Sequence, residues 1–162
     1  MARHTSPGEA GFTYLAALFL VAMLSFLSLV SVQVWKTVEQ RENERQLLFI
    51  GEQYRHAIQL YYELSPGSVK KYPAELTDLL QDKRATRLIR PIRQLFLDPM
   101  TSEAKWGIVV APTGGIMGVY SLSTAVPIKQ DGFSIEEADF SGARQYQDWK
   151  FVYTPPSIIP KK

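Results

Sequence analysis

The side chains that could do chemistry are few, and their spacing assembles no reaction centre. The 162-residue chain has no cysteine, which removes disulfides, thiolate nucleophiles and cysteine-based zinc sites. Its two histidines stand far apart, His4 near the amino terminus and His56 within a helical pattern beside an apolar face. A hydrolase needs a nucleophile, a base and an orienting group in mutual reach, and no motif here proposes them. Pro112-Thr113-Gly114-Gly115 and Gly118 offer glycines for a phosphate loop, but the Lys-Ser/Thr pair and the following helix are missing. Asp98 and Asp148 read as carboxylates that serve turns and caps. The expectation is a protein that is not an enzyme.

The remaining chemistry is charge. Arg84, Arg87, Arg90 and Arg93 recur every three residues in a locally basic stretch, a spacing that suits an interaction stripe touching phosphates or a protein partner. The plainer reading is a solvated face neutralised by Asp78 and Asp82. Nucleic acid is not expected, because the formal net charge is only +2 and no aromatic residues interleave the arginines.

The element that must position everything else is the run from Phe12 to Val34, which no charge and no proline interrupts. A helix of about 23 residues reaches roughly 34 Å, enough to cross a bilayer. Backbone polar groups in lipid must be paired within the segment, so the run is expected to be a transmembrane helix. A short leader, residues 1–11, precedes it and ends in Gly11, directly against the apolar run. A secretory signal would carry a shorter core, about 7 to 15 residues, with its cut after that core. Here the plausible cut falls before it, between Gly11 and Phe12, and leaves the helix on the mature chain.

Gly11-Phe12-Thr13 followed by this helix resembles the amino terminus of the type IV pilin and type II secretion pseudopilin superfamily. The resemblance implies that a prepilin peptidase cuts after Gly11 and methylates the new amine of Phe12. It also implies a single-pass protein of the bacterial inner membrane whose carboxyl-terminal domain is periplasmic. Its partners would be the peptidase, other pseudopilins, an inner-membrane assembly platform and membrane lipid. Members of the family usually carry Glu at the fifth mature position, and here that position is Ala16. A subunit with Ala16 offers no carboxylate to a neighbour's amine, which favours a minor pseudopilin over the repeating unit. Two alternatives stand beside it: a minor type IV pilin with a ligand- or DNA-binding surface, and an uncleaved single-pass anchored periplasmic protein. The positive-inside rule gives no support to the orientation, since Arg3 precedes the run while Lys36, Arg41 and Arg45 follow it. The orientation rests on the peptidase site.

Past the run, residues 35–64 contain no proline, and Leu47, Ile50, Tyr54, Ala57, Ile58 and Tyr61 recur in steps of three and four. That spacing predicts an amphipathic continuation of the same helix, ended by Ser65-Pro66-Gly67. Residues 65–154 form a periplasmic α+β domain on that face. Pro73 and Leu76, Leu79 and Leu80 predict a short second helix. Asp98-Pro99-Met100-Thr101 is a turn signal. Trp106–Ala111 and Ile116–Ser121 read as a hairpin joined by Pro112–Gly115, and Trp149–Tyr153 as a last strand, stopped by Pro155-Pro156. Residues 155–162 are a tail. The fold class expected is α+β, a long amino-terminal helix, half membrane-embedded and half amphipathic, packed on a small antiparallel sheet. The order Asp-Pro, Trp-Gly, Gly118-Val119-Tyr120-Ser121 also resembles the carboxyl-terminal sheet of the major pseudopilin, whose relatives often bind calcium in the next loop. Asp131 is the weak calcium candidate here, since a calcium ion takes roughly six to eight oxygens and no matching acidic cluster surrounds it. No other cofactor is expected.

Overall fold

A computed structural model of the chain describes residues 9–82, 84 and 89–156, and the side chains of these except 9–11 and 26–34. The protein is α+β. One helix, α1 (Glu9–Glu63), is followed by a three-stranded antiparallel sheet in the order β1 (Gly107–Val110), β2 (Ile116–Tyr120) and β3 (Phe151–Val152). The chain divides into two compact units, Met1–Glu39 and Gln40–Lys162.

In the first unit the described side chains from Phe12 to Leu24 are exposed on every side of α1, with Phe12 at 76% and Phe19 at 72%. Ser25 satisfies its hydroxyl locally by donating to the Val21 carbonyl at 2.8 Å. Among the described residues no helix is long and apolar enough to cross a membrane. Residues 26–34, the later part of the charge-free run, lie outside the described side chains.

The second unit has its core on one face of α1. Leu47, Tyr54, Ala57, Ile58 and Tyr61 are buried there against Leu79, Ile92, Trp106, Val119 and an aromatic group from the end of the chain. In that group Phe140 stacks on Trp149 with ring centroids 5.7 Å apart, and Phe151 and Tyr146 meet them edge-on. Such pairs add about 0.5–1.5 kcal/mol each beyond the area they bury. Gly51 lets the helix approach: a Cβ there would lie 2.4 Å from the Phe151 ring, which is itself fully buried. Helical spacing placed five of the six predicted face positions in the core, with Ile50 partly buried beside it.

The hairpin forms as expected, with a bulge between Val109 and Val110. Its loop needs Gly115 twice over. The residue has φ +85°, and a Cβ would meet Tyr72 Cβ at 2.8 Å. The next residue, Ile116, donates its N–H to the Pro73 carbonyl at 2.8 Å. The predicted second helix is only a 3-10 turn, Leu76–Leu79. The Asp78 carboxylate caps the start of this turn, accepting from the N–H groups of Ala74 and Glu75, and the Leu79 carbonyl goes to the N–H of Ile92 instead of a further helical turn. The last strand is shorter than expected, because a 3-10 turn at Tyr146–Asp148 runs up to it. Asp148 does serve as a cap, accepting from Arg144 and Gln145.

Candidate functional site

The amino-terminal junction comes first. Gly11 and Phe12 lie within α1, whose first residue is Glu9. The backbone there is helical, so a protease that cuts after Gly11 must open the first turn of α1. Glycine weakens a helix by about 1 kcal/mol relative to alanine, which lowers the cost of that opening. His4 lies outside the described residues, and His56 is an exposed residue of the helix.

The arginine stripe does not present itself as a row. Arg87 lies outside the described residues. Arg90 and Arg93 are exposed, but Arg84 is turned inward. Its Nε and Nη2 donate to the two Asp82 oxygens at 2.8 Å each, Nη1 donates to Ser65 Oγ at 2.8 Å, and Nη2 donates to the Tyr61 carbonyl at 2.7 Å. The guanidinium also lies 3.4 Å from the centre of the Tyr61 ring. A cation on a last-turn carbonyl is favourable at the negative end of a helix, so Arg84 acts as a cap for α1 rather than as a phosphate contact. Sequence reasoning named Asp82 as a neutralising partner but not this inward geometry.

The Arg84 hydrogen bond holds the Asp82 carboxyl below the ordinary carboxylate range. Its contribution is therefore complete above the unfolded value, about 3.9, and is lost as pH falls through the lower folded value. Asp82→Asn is expected to cost about 2 to 3 kcal/mol at pH 7, because it leaves Arg84 partly buried against a neutral partner. Denaturant unfolding of wild type and variant should converge at strongly acid pH, and an equal gap at both pH values would contradict this account of the pair.

The loop after β2, residues 122–131, is fixed by the protein's own groups. Asp98, fully buried, accepts from Ser121 Oγ at 2.7 Å, from the Leu122 N–H at 3.3 Å and from the Met100 N–H at 2.9 Å. Glu44, 4% exposed, accepts from the N–H groups of Ile128 at 2.6 Å and Lys129 at 3.1 Å and from the Tyr146 hydroxyl at 2.9 Å. Burial above all, with the Glu44 carboxylate adding to it, pushes the Tyr146 phenol up to about 12. Asp131 accepts from Ser141 Oγ at 2.8 Å, and the Gln130 and Pro127 carbonyls accept from Ser141 and Gln130. Among the described residues no group of three or more carboxylates or histidines converges to hold a metal. Asp131 is the one carboxylate of this loop, so the residues here supply few of the roughly six to eight oxygens that a calcium ion takes.

No protein-family model matches the chain, and no curated protein or solved structure matches it either.

Proposed function

We propose that the chain is a structural subunit of a pilus-like filament, a minor pseudopilin of a type II secretion system or a related assembly. The single observation that carries this reading is the Gly11-Phe12 junction set directly before a charge-free run, whose described side chains are exposed around the whole helix. A helix that is apolar all round has its stable place in lipid or among other helices. Ser25, bonded back to Val21, brings no unpaired hydroxyl into such surroundings. In this account residues 12–34 hold the subunit in the inner membrane, the peptidase removes residues 1–11, and the mature helix packs with its neighbours in the filament. Lipid tails are as apolar as leucine, so the gain on assembly comes from close packing, for which Ala16, Ala17, Ser25 and Ser28 leave room. The role is architectural rather than catalytic, with the second unit as the surface displayed in the periplasm.

Membrane extraction and protease access test this reading. The full chain should stay in the membrane fraction through alkaline carbonate, and protease should digest its second unit in spheroplasts but not in intact cells. Release by carbonate, or protection in spheroplasts, would contradict it.

A further inference from the structure

Within the second unit, Arg41, Glu44, Arg45, Leu48, Ile128 and Lys129 line a cavity of about 370 Å³. Its chemistry is unequal. Glu44 lines the cavity too, but its Oε1 is already engaged, accepting from two backbone N–H groups and from Tyr146, and its single negative charge is outnumbered by the three cations. Gln40 braces the same place, donating to the Tyr146 hydroxyl at 2.8 Å and to the Val126 carbonyl at 3.0 Å. These bonds fasten the 126–129 loop to α1 and bring Lys129, remote in sequence, to a wall that also carries Arg41 and Arg45.

The three cations have capacity left. Arg41 has no hydrogen-bond or ion-pair partner among the described residues. Arg45 reaches Glu42 only at 3.5 Å with both side chains exposed, a pair worth little in water. The Lys129 ammonium sits 4.5 Å from the Phe133 ring centre and has no carboxylate partner among the described residues. Leu48 and Ile128 give the same cavity an apolar side. A cleft with excess positive charge and an aliphatic wall suits a phosphodiester that carries a glycerol and an acyl chain.

Position in the sequence selects the source. Lys36, Arg41 and Arg45 follow the apolar run closely, on the side where the proposed orientation disfavours cations. We propose that this cleft binds the phosphate of an anionic phospholipid headgroup. The proposal rests on the membrane reading above. It gives the misplaced positive charges a partner, and it makes Glu44 a positioning residue that acts by holding the Lys129 loop.

The test uses the full chain with vesicles of phosphatidylcholine alone and of phosphatidylcholine with phosphatidylglycerol. Binding to each is read by flotation from dilute detergent. Wild type should float with both and prefer the anionic vesicles by roughly tenfold or more, as expected for several cations near a charged surface. Lys129→Gln and Lys36→Gln remove the same charge. General surface attraction predicts the greater loss for Lys36→Gln, which is nearer the apolar run in sequence. The cleft predicts that Lys129→Gln lowers the preference about fivefold and Lys36→Gln by less. An equal or larger loss in Lys36→Gln, or no preference in wild type, overturns the cleft. Failure of wild type to float even with phosphatidylcholine overturns the membrane reading instead.

Discussion

Leu24→Lys is expected to abolish stable membrane insertion of the chain, while Leu24→Ile leaves it intact. Leu24 lies at the middle of the Phe12–Val34 run and is 56% exposed. At a helix centre leucine favours insertion by a few tenths of a kcal/mol and lysine opposes it by about 3, so the exchange shifts the balance by roughly 3–4 kcal/mol, more than a hundredfold. The lysine cannot escape easily, because about ten residues of apolar helix lie on either side and the side chain snorkels by only part of that length. Carbonate extraction reads the result directly. A Leu24→Lys chain retained in the membrane like wild type would show that the run is not held by lipid.

Asp98→Ala is expected to cost the second unit about 3–5 kcal/mol, lowering its melting temperature by roughly 10 °C or more. The carboxylate is fully buried and accepts from Ser121, Leu122 and Met100, so its removal takes the acceptor from the buried Ser121 hydroxyl and from two half-buried residues. The Asp98 N–H and carbonyl also close the 98–103 turn, through Glu103 and Ser102. Those backbone bonds survive the substitution, so the damage should centre on the start of the loop after β2. Asp98→Asn keeps one acceptor oxygen and should lose about half as much. Thermal unfolding of the full chain in detergent checks both variants. A loss below 1 kcal/mol for the alanine would mean that Ser121 and Leu122 find other partners.

Periodic features were legible because one physical rule fixes them over many residues. The Leu47–Tyr61 face had to be buried, and Gly114-Gly115 between two β-rich runs had to turn. What escaped sequence reasoning depends on single partners far along the chain. Glu44 sits among Glu39, Arg41, Glu42 and Arg45 and reads as one more solvated charge, yet it is buried because N–H groups at 128 and 129 point at it. Asp98 and Ser121 were separate pieces of one motif order, and nothing in their spacing announced that they touch. The three-residue arginine spacing suggested a displayed row, but Asp82 and the end of α1 draw Arg84 inward. The element after Pro73 stays a single turn because the Leu79 carbonyl accepts from Ile92, a partner far enough along the chain that local spacing does not reveal it. The Gly11-Phe12 junction is a reading of the sequence alone.

The intact mass and first residue of the chain extracted from native membranes test the central claim most directly. A mature chain that begins at Phe12 and carries one added methyl is the result predicted here. A chain that begins at Met1 or Ala2, with no methyl on its amine, would contradict the pseudopilin account and leave an uncleaved anchor in its place.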